Sequence, residues 1–172
     1  MKIIFSIFLG LLLTMFAAEN LNGQNKTIIL LRHAEKDVSA SANKADPELT
    51  AQGRERAQRL LEVLKEYQPQ QIYSTIFKRA RDTAAPLAEN LHPDYRMQIQ
   101  FYDYNEIEEL AAKLLKLKSK SVVVVGHNST TTELANFLIK QNKYKDLADD
   151  EYNKIFIIKI RGGKIEDRVV EY

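Results

Sequence analysis

The sequence predicts an α/β fold with three layers, α/β/α, in which a mainly parallel central sheet ends in an antiparallel C-terminal edge hairpin. Two apolar runs, residues 28–31 and 122–125, have the length and branching of strands that are buried on both faces, as parallel strands are. Segments with helical periodicity separate these runs from other short strand-like segments. Near the end of the chain, Gly162-Gly163 divides two further strand-like segments, and glycine permits the positive φ angles of a tight hairpin turn.

The first strand and the first helix are separated by a polar loop. Ile28–Leu31 is the strand, and residues 37–48 form the loop. Thr50 is a natural N-cap for a helix whose apolar residues recur at three- and four-residue spacing, so that one face is buried. We expect this helix to end before Pro69.

A second strand and helix follow directly. Residues 71–73 form a short strand, and residues 78–91 have the pattern of a helix. Pro86 lacks an N–H group, which predicts a kink or a later start of this helix. Ser74 and Thr75 lie between the strand and the helix, where they are expected to act as helix caps, with phosphate binding as the alternative.

The second half of the chain continues the alternation and then changes to two consecutive strands. In order, the predicted elements are a strand at 97–102, a helix at 105–117, a strand at 121–125, a helix from Ser129, a solvated acidic loop at 146–153, and hairpin strands at 154–160 and 164–171.

The amino-terminal residues predict export. Lys2 precedes an uncharged, mainly apolar run, Ile3–Ala18, which is typical of a secretory signal peptide. We assign residues 1–23 to this peptide, with cleavage between 18 and 24, and residues 24–172 to one domain. The expected location is periplasmic or secreted, and an uncleaved membrane anchor is the alternative.

Composition excludes some classes of partner and cross-link. The chain of 172 residues has 25 basic and 23 acidic side chains and no basic block, which argues against a nucleic-acid partner. It has no cysteine, so neither disulfides nor a lipid-modified cysteine can form.

Histidines follow the two most apolar strands. Arg32-His33 ends the first, and Gly126-His127 ends the valine-rich strand. If these strands are neighbours, both imidazoles lie at one edge of the sheet, where α/β proteins place their chemistry. Arg79, at the start of a helix that follows another strand, can reach the same edge.

This constellation suits a phosphoryl group. Arg32 and Arg79 supply two fixed cations, and a protonated His127 would supply a third, so no metal or other cofactor is required. A neutral His33 can attack phosphorus in line and hold it as a phosphohistidine that water then hydrolyses.

Four motifs in this order resemble the histidine phosphatase superfamily, which is also called phosphoglycerate mutase-like. They are LRHAEK at 31–36, LTAQGRERA at 49–57, YSTIFKRARDTA at 73–84 and VVVVGHNST at 122–130. The resemblance implies that His33 is the nucleophile and that Arg32, Arg79 and His127 bind the phosphoryl group. Arg81 is then a surface charge.

The chain departs from the family pattern in two places. Ala34 stands where many members have glycine, which adds a methyl group close to the phosphate. Asn128 follows His127, where the acid-phosphatase branch has an aspartate that donates a proton. Asn128 is therefore expected either to contact the phosphate or to cap the last helix.

The proton donor consequently stays open. In the mutase-like branch the acid comes from the region after the third strand, where Asp103 and Glu106 lie, and Asp103 is preferred. Glu35 is a further candidate, although its alternative role is to pair with a neighbouring basic residue.

The sequence thus predicts an exported, metal-independent phosphomonoesterase that acts on small-molecule phosphate esters. Three alternatives keep the same site: a non-catalytic phosphate- or sugar-phosphate-binding module, a phosphoglycerate mutase and a protein-phosphohistidine phosphatase. A fourth alternative is a metal hydrolase that uses His33, His127 and Asp103 as ligands. Two arginines in the site would repel its cation, and the His-x-x-x-His spacing common in zinc hydrolases is missing.

Overall fold

Strands and helices alternate along most of the chain. The computed structural model describes residues 25–39, 41–92 and 95–172, so the predicted signal peptide at 1–23 lies outside the described residues. The strands are β1 (Lys26–Arg32), β2 (Gln71–Ser74), β3 (Ile99–Phe101), β4 (Ser121–Gly126), β5 (Lys154–Arg161) and β6 (Lys164–Glu171). The helices are α1 (Ala51–Leu64), α2 (Lys78–Asn90), α3 (Ile107–Lys116) and α4 (Asn128–Ile139), with a 3-10 turn at Lys65–Tyr67.

The six strands form one sheet in the order β3-β2-β4-β1-β5-β6. The first four strands in that order are parallel, and β5 and β6 are antiparallel to their neighbours. Gly162 and Gly163 make the hairpin turn with φ angles of 54° and 81°. The predicted fold class and the edge hairpin are therefore confirmed.

The two apolar strands are neighbours, as the site requires. Arg32 at the end of β1 lies opposite Gly126 at the end of β4. The backbone N–H of His33 continues the pairing by donating to the Gly126 carbonyl at 2.9 Å. His33 and His127 therefore leave the sheet side by side, at the carboxyl ends of parallel strands.

Both faces of the sheet are covered by helices, which gives the three layers. Ile29 and Leu31 of β1 belong to a buried cluster with residues of α1 and α2. Ile28 and Leu30, which point the other way, belong to a cluster with residues of α3 and α4. Because the middle of β1 is apolar on both faces, the polar side chains at its carboxyl end are the ones that reach this edge of the sheet.

Several element boundaries differ from the sequence prediction. β3 and α3 are shorter than expected. α2 begins at Lys78 and contains Pro86, so the expected later start was wrong. Pro86 is buried, as are Ala84 and Leu87. Burial of this side chain offsets the missing backbone hydrogen bond.

The capping of α2 also differs from the prediction. Its N-cap is Phe77, whose side chain makes no capping bond. Instead, Asp46 from the polar loop accepts a hydrogen bond from the Lys78 backbone N–H at 2.9 Å. Ser74 and Thr75 are therefore not the caps of this helix. By contrast, Thr50 caps α1 as expected, by accepting from the Gly53 N–H at 3.0 Å.

Gly53 allows α1 to pack directly on the segment after His33. A Cβ at this position would lie 2.4 Å from the backbone oxygen of Glu35, closer than any side-chain carbon can approach. The Thr50 N–H donates to the same Glu35 oxygen at 2.9 Å. The glycine in the LTAQGRERA motif thus lets the start of α1 support the backbone next to His33.

Over the described ranges, the chain contains no helix with the length and apolar character needed to cross a membrane.

Candidate active site

His33 is held in one tautomer by the backbone. Its side chain is buried, with 3% exposure for the residue, and Nδ1 lies 2.8 Å from the carbonyl oxygen of Ala34. Because a carbonyl can only accept, Nδ1 carries the proton. The lone pair of His33 is therefore on Nε2, the atom available to attack an electrophile.

Arg79 connects the two histidines. Its Nε donates to His33 Nε2 at 3.2 Å, and its Nη2 lies 3.5 Å from His127 Nδ1. The two imidazole centroids are 5.4 Å apart. Asp46, at 3.8 Å from Nη1, is the nearby countercharge that steadies the guanidinium. A fixed cation thus lies between two nitrogen lone pairs, in the first turn of α2.

His127 is fixed from two directions. Its backbone N–H donates to Thr130 Oγ1 at 2.9 Å, and its Nε2 lies 3.0 Å from Thr75 Oγ1. Because Nδ1 faces the Arg79 donor, Nε2 carries the proton and donates to Thr75. This role of Thr75 was not predicted from the sequence, where the available signal was its position at the end of β2, on the same edge as His127.

Both imidazoles are neutral at neutral pH. Burial is the main cause that lowers the pKa of His33 to about 3 and that of His127 to about 4, and the nearby arginines lower both further. His127 is therefore not a cation in the unliganded site, where Arg32 and Arg79 supply the charge next to the imidazoles. The neutral state leaves the lone pair on His33 Nε2.

Arg32 is buried under the segment that precedes β5. Its Nη1 donates to the carbonyl oxygens of Ala148 and Glu151 at 2.7 and 3.1 Å. The guanidinium carbon lies 4.1 Å from the centroid of the Tyr152 ring. The prediction of a solvated loop at 146–153 was therefore wrong in part. Arg32 holds this loop over the site, and the sequence near the loop does not indicate that partner.

One donor of Arg32 remains available. Its Nε is buried and has no acceptor among the described residues. A buried N–H without a partner is unfavourable, and an anionic oxygen would satisfy it.

These groups surround a cavity of about 380 Å³. Its lining residues come from the carboxyl ends of four strands and from the loop before β5: Arg32, His33, Lys36, Phe77, Arg79, Tyr104, His127, Asn128, Ser129, Thr130 and Asp149. Asn128 is the first residue of α4, so the cavity also includes a helix N-terminus, which favours an anion.

The acids predicted from the sequence lie outside this lining. Asp103 is exposed and accepts hydrogen bonds from the backbone and side-chain nitrogens of Asn105 at 2.9 and 3.0 Å. Glu106 is exposed at the start of α3. Glu35 pairs with Arg56 at 2.7 Å. This is the alternative role expected for it, as the partner of a basic residue. In the described chain, Asp149 is the carboxylate that lines the cavity.

Two further expectations concern Ala34 and Arg81. The side chain of Ala34 packs in a buried cluster with Leu49 and Ala57, so its methyl group is accommodated by the protein. Arg81 is exposed, unlike Arg79 two residues earlier.

A larger groove of about 860 Å³ lies on the outer side of α4 and the loop after it. It shares Ser129 with the cavity but includes neither imidazole and neither arginine. The smaller cavity is therefore the candidate active site. Across the described ranges, no group of three or more histidine, aspartate or glutamate side chains is placed to hold a metal ion.

Comparison with known proteins gives one family match. The family model of the histidine phosphatase superfamily (branch 1) matches residues 28–114. No curated protein matches the chain.

Solved structures share the fold at low sequence identity. A proposed α-ribazole-5′-P phosphatase from Escherichia coli is 17% identical with a TM-score of 0.66, covering 86% of this chain and 96% of its own. A mycobacterial glucosyl-3-phosphoglycerate phosphatase with inorganic phosphate is 17% identical with a TM-score of 0.64, covering 86% and 96%. A proposed phosphohistidine phosphatase, SixA, from Agrobacterium tumefaciens is 20% identical with a TM-score of 0.61, covering 85% and 96%.

Proposed function

Because this chain belongs to the histidine phosphatase superfamily, branch 1, we propose that it is a metal-independent phosphomonoesterase that works through a phosphohistidine on His33. One observation carries the proposal: Arg79 lies between two neutral imidazoles, and its Nε is 3.2 Å from Nε2 of His33. This arrangement combines a nucleophile with a cation that can follow the charge of a transferring phosphoryl group.

The phosphate group of the substrate binds among Arg32, Arg79, His127 and the N-terminus of α4 at Asn128. The arginines supply charge-assisted hydrogen bonds, including the unsatisfied Nε of Arg32. A bound dianion favours protonation of His127 at Nδ1, since an adjacent negative charge stabilises the imidazolium. His127 then becomes a third donor only when the substrate is present.

The reaction has two displacements. His33 Nε2 attacks phosphorus, the P–O bond to the leaving group breaks, and the leaving oxygen takes a proton from an acid. Water then attacks the phosphohistidine and gives a proton to the same carboxylate, the P–N bond breaks, and inorganic phosphate leaves. His33 regains its lone pair, so the cycle closes without a metal or a redox partner.

Asp149 is better placed than Asp103 to be that acid. Asp149 lines the cavity on a loop whose carbonyls are held by Arg32. Asp103 lies outside the cavity lining and already accepts hydrogen bonds from Asn105. We therefore assign proton transfer to Asp149 and keep Asp103 as the alternative for the test below.

The function is tested by assaying the purified protein with p-nitrophenyl phosphate in excess EDTA. We expect hydrolysis at the same rate as without EDTA, and competitive inhibition by vanadate. Loss of activity on chelation would point to a metal hydrolase. Phosphate binding without hydrolysis of any monoester would instead favour a non-catalytic binding module.

Asp149→Asn is expected to lower kcat/KM for an alkyl phosphate by roughly 10²-fold or more, the usual contribution of a general acid. The loss with p-nitrophenyl phosphate should be much smaller, because nitrophenolate leaves without a proton. Asp150→Asn, an exposed neighbour on the same loop, removes the same charge and should change neither rate. If Asp103→Asn shows the leaving-group dependence instead, the assignment to Asp149 is wrong.

Export is proposed on sequence alone. The uncharged run Ile3–Ala18 after Lys2 supports a signal peptide, which would place the domain from residue 24 onwards in the periplasm or outside the cell. The substrates available there would be small phosphate esters.

A further inference from the structure

Two aromatic side chains form one wall of the phosphate cavity. Phe77 follows β2 and Tyr104 follows β3, and both line the cavity that contains His33 and Arg79. Their ring centroids are 5.5 Å apart. The centroid of His127 lies 5.4 Å from Phe77 and 6.3 Å from Tyr104, so the three rings form one cluster.

Exposed apolar side chains lie close to this wall in the sequence. Tyr104 is 41% exposed, and Ile76 and Phe101, which flank the wall in sequence, are 65% and 53% exposed. The lining also includes polar side chains, among them Lys36, Ser129 and Asp149. The cavity therefore has a charged part that suits a phosphoryl group and an aromatic side that phosphate alone would not use.

We propose that Phe77 and Tyr104 form a leaving-group subsite that binds an aromatic ring attached close to the ester oxygen. The substrate class is thus a small aryl or arylmethyl phosphate monoester. This inference rests on the proposed phosphatase function, because it places the leaving group beside a phosphate that is held by the arginines.

The ring contacts favour an aromatic leaving group over a merely apolar one. The Arg79 guanidinium carbon lies 4.6 Å from the Phe77 ring centroid, so this ring is already held by the phosphate-binding arginine. Tyr104 is more exposed and offers its ring to a ligand in a stacked or edge-to-face arrangement. The cavity of about 380 Å³ is at the small end of ligand pockets, which suits one ring better than a large substrate.

Binding of phosphonates tests the subsite without requiring turnover. We would measure the Kd of phenylphosphonate, cyclohexylphosphonate and methylphosphonate by calorimetry, at a pH where all three are dianions. Phenylphosphonate is expected to bind about tenfold more tightly than methylphosphonate, with the cyclohexyl compound between them.

Variants of Tyr104 separate a subsite from a structural role. Tyr104→Leu should remove most of the preference for phenylphosphonate and should weaken methylphosphonate far less than phenylphosphonate, and Tyr104→Phe should keep the preference. A purely structural role would weaken all three ligands together. Phe137→Leu, at an aromatic residue that is 39% exposed and lines the larger groove, is the control that should have no effect.

The possible failures are distinguishable. If all three phosphonates bind equally to the wild-type protein, or if the cyclohexyl compound binds as tightly as the phenyl compound, the aromatic subsite is wrong while the phosphate site stands. If none of them binds, and vanadate does not inhibit, the phosphate site itself is wrong.

Discussion

Replacement of His33 with asparagine is expected to lower kcat/KM for p-nitrophenyl phosphate on the order of 10⁴-fold or more, as removal of a covalent nucleophile does in other enzymes. Asparagine is chosen because its side-chain amide can take the place of Nδ1 and donate to the Ala34 carbonyl, which His33 contacts at 2.8 Å. The variant therefore loses Nε2 and its lone pair, and it retains the hydrogen bond that anchors the side chain.

The measurement combines steady-state rates with trapping of the phosphoenzyme. Wild-type protein quenched during turnover with labelled substrate should carry phosphate that is stable to base and labile to acid, as phosphohistidine is, and His33→Asn should carry none. His92→Asn is a matched control, since His92 bonds the Pro69 carbonyl at 2.8 Å away from the cavity. A base-stable phosphoenzyme in His33→Asn would show that a different histidine is the nucleophile.

Arg79→Ala is expected to reduce kcat/KM by roughly 10²- to 10³-fold, the range observed when one preorganised donor to a transition-state oxyanion is removed. Arg79 contacts both imidazoles, so its loss removes a charge and also the group that separates them. Inhibition by vanadate should weaken in parallel, because vanadate needs the same donors.

Two further variants make this result specific to Arg79. Arg79→Lys keeps the charge but not the planar fork that reaches His33 and His127 together, so it should recover little activity. Arg81→Ala removes an equal charge from the exposed side of α2 and should change neither the rate nor the inhibition. Similar losses in the alanine variants at 79 and 81 would mean that general positive potential, rather than the position of Arg79, supports catalysis.

The parts of the site that sequence could predict are those that depend on strand ends. Apolar runs that stop at Arg32-His33 and Gly126-His127 indicate buried parallel strands. Neighbouring parallel strands bring their carboxyl ends to the same edge of the sheet. The hairpin could also be predicted, because two consecutive glycines between strand-like segments are typical of a tight turn. These features follow from local pattern and simple topology.

The remaining features depend on contacts between distant segments. The Thr75 hydroxyl on His127, the Asp46 cap on α2 and the Arg32 bonds to the loop at 148–151 each join residues that no periodicity connects. The protonation state of His127 likewise follows from burial, which only the folded chain defines. The proposed acid, Asp149, could not be chosen for the same reason, since it lies outside the motifs in sequence.

The contact at Gly53 has a consequence for the dynamics of the protein. The Glu35 oxygen lies against Gly53 and accepts the Thr50 N–H, so the turn that follows His33 is in backbone contact with the first turn of α1. Displacing this turn requires breaking that hydrogen bond and separating the contact at Gly53. We therefore expect the turn to open less often than an unsupported loop, so that His33, the proposed nucleophile, keeps its position between turnovers.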